Sequence, residues 1–248
     1  MPISVVLLPA YNEQAAIGPL LDRIQSTLKV GSFRVLVVDD GSTDRTAEIA
    51  RDKAKTMPVE VLVRHKNGGL GAALSDGFEH AANTYSDSDL LITMDADNTF
   101  DPALIPEMEK SIEAGADLVI ASRHVKGARV IGVPLLRKFL SFGIGTILKI
   151  VFHPKNIRDF TSGYRCFRMS LIKQACKRFN PLIRSRGFAA TMEILMKALA
   201  EDPVCQELPF TLRYDLKPGR SKLRVWHTIF EYCRAIVICR QDIRNTQK

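Results

Sequence analysis

Short apolar runs alternate with helical patterns through the first half of this 248-residue chain. The runs occupy residues 3–8, 34–38, 59–63 and 90–94, and each is followed by a polar or glycine-rich stretch. Between the first two runs, large aliphatic residues recur at helical spacing: Ile17, Leu20, Leu21, Ile24 and Leu28. Strands that alternate with helices favour an α/β fold with a mostly parallel sheet. Ligands of such sheets bind at the carboxyl ends of the strands, so the turns after these runs form the expected site.

Three of these turns carry polar groups or glycines that could serve a ligand. Residues 39–44 (DDGSTD) follow the second run, and Ser42 or Thr43 is expected to cap the next helix. Residues 67–71 (NGGLG) let a backbone approach a ligand closely or turn tightly into a helix. Asp95 and Asp97 end the fourth run, and side chains two residues apart on an extended backbone point the same way. Two convergent carboxylates suit Mg²⁺ or Mn²⁺, although an isolated pair can also be an acidic turn after a buried strand.

Six segments of the chain resemble, in order, the motifs of family 2 glycosyltransferases with the GT-A fold. They are residues 9–13 (PAYNE), 38–44 (VDDGSTD), 67–71 (NGGLG), 95–97 (DAD), 159–165 (DFTSGYR) and 219–223 (GRSKL). Within that group the motifs are most similar to those of dolichol-phosphate mannose synthases and related polyprenyl-phosphate sugar transferases. The resemblance implies a Rossmann-like, mostly parallel central sheet flanked by helices, and the apolar stretches of the second half predict C-terminal amphipathic helices in addition.

The resemblance also implies a nucleotide-sugar donor and a divalent metal ion, Mg²⁺ or Mn²⁺, held by Asp95 and Asp97. The implied donor-binding residues are Pro9, Tyr11, Glu13, Val38, Asp40, Asp95, Ala96 and Lys222. For the Asp39–Asp40 pair, a favourable charge at a helix N-terminus is the competing explanation. The chain departs from the lipid-phosphate transferases at Thr99, where they usually carry a glutamine as a further metal ligand. Asn98 or Thr99 could offer an oxygen instead, so the third ligand stays open.

The same resemblance assigns the reaction centre and the acceptor side. The implied catalytic residues are Asp97, Arg123 and Arg165, and the implied acceptor-side residues are Arg137, Asp159, Ser162 and Glu193. A guanidinium fork suits phosphate recognition. Asp159 and Arg165 could instead form a local buried ion pair, and Glu193 could simply orient the basic residues. The family often has an arginine six residues before the loop lysine, where this chain has Leu216; Arg213, Lys217 or Arg220 could replace it.

The function implied by these residues is inverting, metal-dependent transfer of a hexose, mannose or glucose, to a polyprenyl phosphate such as dolichyl or undecaprenyl phosphate. Phosphate is already ionised at neutral pH and needs no strong general base. A family 2 transferase that acts on a hydroxyl acceptor is the alternative; it needs a base, for which Asp159 or Glu193 is available. A non-catalytic nucleotide-sugar-binding subunit is the alternative of another class. A dinucleotide-binding enzyme is disfavoured because no G-x-G-x-x-G follows the first run.

Charge is divided unevenly along the chain. Residues 1–121 hold 10 Lys and Arg against 19 Asp and Glu, whereas residues 122–248 hold 25 against 8. The basic second half indicates an anionic partner: a nucleoside diphosphate, a lipid phosphate or an anionic membrane surface. No nucleic-acid partner is expected, because no recognition motif accompanies the charge. We therefore expect a catalytic domain over residues 1–224, with a nucleotide-sugar half (1–121), an acceptor half (122–224) and a C-terminal amphipathic helix (225–248).

Two apolar stretches with basic flanks, 139–152 and 225–239, are candidates for contact with a membrane surface. Neither reaches the roughly 18–20 uncharged residues that a spanning helix needs. Both could equally pack on the globular core. The five cysteines are odd in number and lack zinc-ligand spacing, which is typical of free thiols in a reducing compartment. With no signal peptide expected after Met1, the predicted location is the cytoplasmic face of a membrane, as a peripheral protein or docked on a membrane subunit.

Overall fold

The computed structural model describes residues 2–133, 135–154, 157–216 and 225–246. Its strands are β1 (Ser4–Ala10), β2 (Phe33–Asp39), β3 (Val59–Val63), β4 (Leu90–Thr93), β5 (Leu118–Ser122), β6 (Arg129–Ile131), β7 (Arg165–Arg168), β8 (Cys205–Pro209) and β9 (Thr211–Arg213). Its α-helices are α1 (Ile17–Thr27), α2 (Thr46–Lys53), α3 (Leu70–Thr84), α4 (Ile105–Glu113), α5 (Leu135–Phe152), α6 (Met169–Arg178), α7 (Ala189–Leu199) and α8 (Val225–Asn245). The four predicted apolar runs correspond to β1, β2, β3 and β4.

Seven strands form one central sheet in the order β3-β2-β1-β4-β7-β5-β8. Neighbouring strands are parallel, except that β7 runs antiparallel to both β4 and β5. A separate parallel pair joins β6 to β9. The predicted α/β fold with a mostly parallel sheet is therefore confirmed, with β7 as its antiparallel strand.

Helices cover both faces of the sheet, because the buried strands place alternate residues on opposite faces. On β1, Val5 and Leu7 belong to a core shared with α3, α6, α7 and part of α8. The intervening Val6 and Leu8 belong to a second core, shared with α1 and α4. Strands buried on both faces read as continuous apolar runs, which explains why β1 shows no alternation in sequence.

The topology gathers functional candidates at one edge of the sheet. Asp40, Asp95 and Arg123 each follow a parallel strand, so they emerge at its carboxyl end. β7 runs in the opposite direction, and its preceding residues, 159–164, therefore reach the same edge. The antiparallel strand thus brings a segment from the basic half of the chain to the acidic turns of the first half.

The two predicted amphipathic stretches are helical and lie within α5 and α8. Tyr232, Ala235 and Cys239 of α8 are buried in the core, whereas Phe230 and Val237 are 68% and 56% exposed. The helix therefore both packs on the body of the protein and presents apolar side chains outward. None of the helices in the described part of the chain is long and apolar enough to cross a membrane.

The prediction that Ser42 or Thr43 caps the next helix is wrong. Helix α2 begins only at Thr46, whose backbone N–H donates to the Asp44 carboxylate at 2.9 Å, and the side chain of the N-cap residue, Arg45, makes no capping hydrogen bond. The Ser42 hydroxyl instead accepts a hydrogen bond from the Asn12 backbone N–H at 2.9 Å, and the Thr43 N–H donates to the Asn12 side chain at 2.8 Å. These hydrogen bonds tie the turn after β2 to the turn after β1.

Candidate active site

A cavity of about 1720 Å³ opens at the carboxyl edge of the sheet. Its walls come from the ends of β1, β2, β4 and β5, from the glycine loop (residues 67–71) and from α8. Most of the residues predicted to bind the donor line it: Pro9, Tyr11, Glu13, Asp40, Asp95 and Ala96. Asp97, predicted as a catalytic residue and metal ligand, lines it as well. Val38 does not line it; this residue is fully buried in the core beneath the sheet edge.

Asp95 and Asp97 lie on the cavity wall, and Asp97 is nearly buried. Its Oδ1 accepts hydrogen bonds from the Thr99 N–H at 3.2 Å and the Thr99 hydroxyl at 2.6 Å. Asn98, at φ 61°, turns its side chain away to accept a hydrogen bond from Arg23 at 2.7 Å. Thr99 therefore orients Asp97 in this structure, at the position where the resembled transferases usually have a metal-binding glutamine.

The chemistry of Asp95 and Asp97 fits a divalent metal ion that also binds a diphosphate. Within the described ranges, no group of three or more His, Cys, Asp or Glu residues is arranged to hold a metal ion. Mg²⁺ typically takes one or two protein carboxylates and completes its coordination with substrate phosphates and water. Two carboxylates on an open cavity wall match that pattern.

Asp40 joins the end of β2 to the glycine loop. Its Oδ1 accepts from the Gly68 N–H at 2.9 Å, its Oδ2 accepts from the Gly69 N–H at 2.7 Å, and Arg64 Nε lies 2.9 Å from Oδ1. Gly69 has φ +87°, a conformation that favours glycine, immediately before α3. The predicted contact of Asp40 with a base stays a prediction, and its contacts here position the loop that forms one cavity wall.

A buried ion pair fixes Arg123 at the cavity wall. The Asp159 carboxylate accepts hydrogen bonds from Arg123 N, Nε and NH2 at 2.9, 2.8 and 2.6 Å. It also accepts from the Thr161 and Ser162 backbone N–H groups at 3.2 and 3.0 Å. Burial by itself would raise the pKa of Asp159, but the charge and hydrogen bonds of Arg123 outweigh it and lower that pKa to about 2. The local ion pair considered for Asp159 thus forms with Arg123, not with Arg165.

Arg165 lies beneath the cavity and is not among the residues that line it. Its guanidinium donates to the Phe160 carbonyl at 3.0 Å and to the Thr191 carbonyl. Burial lowers the pKa of Arg165 to about 10, which leaves the group charged at neutral pH. The predicted contact of Arg165 with a phosphate stays a prediction. In this structure Arg165 ties the segment before β7 to α7.

Glu193 is fully buried in α7 and does not line the cavity. Its carboxylate pairs with Lys197 at 2.8 Å and accepts hydrogen bonds from the Arg184 and Ser185 N–H groups at 3.1 and 2.9 Å. Residues 184–187, which Glu193 holds in this way, do line the cavity. The spacing of Glu193 and Lys197, four residues apart in an otherwise apolar helix, is the sequence signal for this pair.

Two predicted site residues fall outside what the structure describes. Lys222 lies in the undescribed range 217–224, and the side chain of Arg137 lies outside the described part of α5. Arg64 also lines the cavity beside Asp40, and the sequence did not predict this role. The two residues are far apart in sequence and become neighbours only in the folded structure.

Comparison with known proteins matches residues 5–175 to the model of glycosyl transferase family 2. The chain is 37% identical to a dolichol-phosphate mannosyltransferase of Pyrococcus furiosus, over 95% of this chain and 63% of that protein. It is 31% identical to a polyprenol monophosphomannose synthase of Mycolicibacterium smegmatis, over 89% of this chain and 80% of that protein. It is 30% identical to an undecaprenyl-phosphate mannosyltransferase of Micrococcus luteus, over 88% of this chain and 86% of that protein.

Among solved structures, the chain superimposes on glucosyl-3-phosphoglycerate synthase from Mycobacterium tuberculosis in complex with Mn²⁺, UDP and glucosyl-3-phosphoglycerate. The TM-score is 0.69 at 18% identity, over 96% of this chain and 80% of that one. At this identity the likeness concerns the fold alone. The family match covers more than half of the chain, and the resemblance predicted from the six motifs is confirmed: the chain belongs to glycosyl transferase family 2.

Proposed function

We propose that this chain is an inverting, metal-dependent hexosyltransferase that moves mannose, or alternatively glucose, from a nucleotide sugar to a polyprenyl phosphate. The observation that carries the proposal is that one cavity joins the Asp95–Asp97 carboxylates to the Arg123 guanidinium. Three relatives with 30–37% identity bear the names of mannosyltransferases or synthases that act on lipid phosphates. Because the chain spans 63% of the Pyrococcus protein, the activity of that whole protein is carried over only as part of this proposal.

The donor would lie along the acidic edge of the cavity, with its diphosphate toward Asp95 and Asp97. A divalent ion, Mg²⁺ or Mn²⁺, held by these carboxylates would neutralise the charge that develops on the leaving diphosphate. Arg123, whose orientation is fixed by Asp159, would stabilise negative charge at the reaction centre. Because Asp159 holds the Arg123 guanidinium through two hydrogen bonds, the chain needs little rearrangement to offer that charge.

The contacts of Asp159 and Glu193 support a phosphate acceptor over a hydroxyl acceptor. These are the two carboxylates that sequence reasoning offered as a general base. Asp159 has a pKa of about 2, held there by Arg123 against the opposing effect of burial, which makes it a poor proton acceptor. Glu193 is paired with Lys197 away from the cavity wall. An ionised phosphate can attack without either group.

Apolar side chains on the far wall of the cavity suit the start of an isoprenoid chain. This wall comes from β6, α5, β9 and α8, and it includes Val130, Val133, Ile144, Leu212 and Ile229. We also propose that α5 and α8 hold the protein at the cytoplasmic face of a membrane. Exposed Ile150, Phe230 and Val237, together with exposed Arg234 and Arg240, support contact with an anionic surface.

Transfer from GDP-mannose, UDP-glucose and UDP-GlcNAc to a short polyprenyl phosphate, with Mn²⁺ and with EDTA, tests the proposed reaction. We expect a glycosyl phospholipid that forms only with the metal ion. Asp97→Asn should lower this turnover by at least about a hundredfold, whereas Asp52→Asn, which removes a carboxylate from an exposed surface pair, should leave it unchanged. Donor hydrolysis without a lipid product would favour the hydroxyl acceptor, and neither reaction would favour the non-catalytic subunit.

A further inference from the structure

Residues 182–188, here called the bridging segment, lie between the glycine loop and helix α8. At its inner side, the Gly71 N–H donates to the Arg186 carbonyl at 2.7 Å. A Cβ built on Gly69 would lie 2.6 Å from that carbonyl, and one on Gly71 would overlap the Ser185 carbonyl. The two backbones are therefore in direct contact, with no side chain between them to absorb a shift. A displacement of the bridging segment must displace the glycine loop.

A closed cluster of four charges fixes the other side of the bridging segment. Lys197 Nζ lies 2.8 Å from Glu193 Oε1 and 2.9 Å from Asp242 Oδ2 of α8, and it donates to the Leu182 carbonyl at 2.9 Å. Arg184 NH1 lies 3.3 Å from Asp242 Oδ1. Lys197 and Glu193 are fully buried, Asp242 is 14% exposed, and Arg184 is about half exposed. The cluster contains two positive and two negative groups, so its formal charges balance.

The cluster links α8 to the backbone of the bridging segment through Glu193. Glu193 both pairs with Lys197 and accepts the Arg184 and Ser185 N–H groups. If the Asp242 charge is removed, Glu193 is the one carboxylate left in the cluster beside its two cations, Lys197 and Arg184. Removing one carboxylate from a buried ion pair is strongly unfavourable. Lys197 keeps its pair with Glu193, but α8 loses its ionic contacts with Lys197 and with Arg184 of the bridging segment. The bridging segment then loses its support under the glycine loop.

Two further contacts join α8 to the same segment. The Tyr232 hydroxyl donates to the Phe188 carbonyl at 3.3 Å. The Glu231 carboxylate lies against Gly187, where a side chain would overlap it. Helix α8 therefore holds the bridging segment at its end near Phe188 as well as through the charged cluster.

We infer that Asp242 and Lys197 are positioning residues for nucleotide binding, through which the C-terminal helix α8 sets the place of the glycine loop. This inference rests on the proposed function, because it takes the cavity wall formed by the glycine loop and Asp40 as the nucleotide site. The order of contacts is Asp242, Lys197, Glu193, the bridging segment and then the glycine loop, whose N–H groups are bound by Asp40. Neither Asp242 nor Lys197 lines the cavity.

Asp242→Asn tests the inference, with Thr246→Val as the matched control. Thr246 also joins α8 to the body of the protein, through Arg178 at 3.1 Å, but that contact leads to α6 and not to the bridging segment. Calorimetry with GDP or UDP and Mn²⁺, well below the unfolding temperature, should show about tenfold weaker binding for Asp242→Asn and unchanged binding for Thr246→Val. The donor KM should rise by a similar factor while the polyprenyl-phosphate KM stays within about twofold. Unchanged nucleotide binding, or equal losses in both variants, would overturn the inference.

Hydrogen exchange separates this inference from the proposed function. Without any ligand, residues 67–73 should exchange about tenfold faster in Asp242→Asn than in the wild type or Thr246→Val, and equal rates would contradict the inference. A wild type that binds neither nucleotide would count against the proposed function, while this comparison still decides the inference.

If Asp242→Asn does not fold, the wild type is compared with and without nucleotide. Slower exchange in 182–188 and 238–246 on binding supports the coupling, since linkage is reciprocal; a change confined to 67–73 refutes it.

Discussion

The buried pair of Arg123 and Asp159 gives the sharpest quantitative prediction. Asp159→Asn keeps the shape of the side chain but removes its charge and replaces one of its two acceptor oxygens with a donor group. The carboxylate is fully buried and accepts five hydrogen bonds, three from Arg123 and two from the Thr161 and Ser162 backbone. The substitution therefore leaves the largely buried Arg123 guanidinium without its counter-charge.

Two estimates bracket the free energy that Asp159→Asn removes. The pKa of Asp159 falls from its ordinary 3.8 to about 2, because the charge and hydrogen bonds of Arg123 outweigh the opposing effect of burial. At 1.36 kcal/mol per pKa unit this corresponds to about 2 kcal/mol of stability. Breaking a buried ion pair by removal of one partner typically costs about 3–5 kcal/mol. We expect a loss of about 3 kcal/mol in the free energy of unfolding near neutral pH.

The loss should depend on pH in a defined direction. A carboxyl group whose pKa is lower in the folded than in the unfolded state contributes its full stabilisation above the unfolded pKa. That stabilisation declines as the pH falls through 3.8 toward the folded value of about 2. The difference between wild type and Asp159→Asn should therefore be constant above about pH 5 and should shrink steadily below it.

Urea unfolding of both proteins, followed by circular dichroism from about pH 7 down to pH 3, measures this difference. Glu48→Gln is the matched control, because it makes the same carboxylate-to-amide change in an exposed pair with Arg45. That control should cost less than about 1 kcal/mol. A loss below about 1 kcal/mol for Asp159→Asn, or a difference that stays constant down to about pH 3, would refute the reasoning.

Two other predictions follow from the cavity and from the outer face of α8. Thr99→Val removes the hydroxyl that donates to Asp97 Oδ1 at 2.6 Å. In a metal titration, the Mn²⁺ concentration that gives half-maximal turnover should rise about tenfold. An unchanged concentration would argue against an orienting role of Thr99. Phe230→Ser, at a side chain that is 68% exposed, should lower binding to anionic vesicles about tenfold. Val204→Ser, at a valine that is 61% exposed and lies outside α5 and α8, should leave that binding unchanged, and added salt should weaken it for every variant.

The elements that depend on local sequence patterns could be predicted. The apolar runs of β1, β2, β3 and β4 and the stripe of α1 are properties of short windows, and each appears at the predicted place. Asp95 and Asp97 both reach the cavity wall as expected, but the extended backbone predicted for them is wrong, because β4 ends at Thr93 and residues 96–97 form a turn. The capping prediction failed because α2 begins only at Thr46, and Ser42 accepts the Asn12 N–H on a different turn.

The partners of the site residues could not be predicted, because they are distant in sequence and meet only after the sheet has formed. Arg123 and Asp159 are 36 residues apart, and Asp40 and Gly68 are 28 residues apart. Their pairing depends on the antiparallel placement of β7 and on the parallel placement of β2 and β3. Helix α7 is buried on nearly every side, so it has no polar face that could indicate the direction of Glu193.

Part of the uneven charge of the chain lies at the cavity. Residues 1–121, which are acidic overall, place Asp95 and Asp97 on one side of the cavity, and the basic second half adds Arg123, Arg184 and Arg186 to the lining. A carboxylate attracts a metal cation, and a guanidinium group attracts a phosphate. If the two kinds of side chain exchanged positions, each would repel the ligand group beside it. A bound metal diphosphate requires both kinds of group around one cavity, and the sheet edge brings together the two halves that supply them. The division is not complete, because Arg64 and Lys66 of the first half and Glu231 of the second half also line the cavity. The sheet edge thus supplies both kinds of charge at one site, and the rest of the basic charge lies elsewhere in the second half.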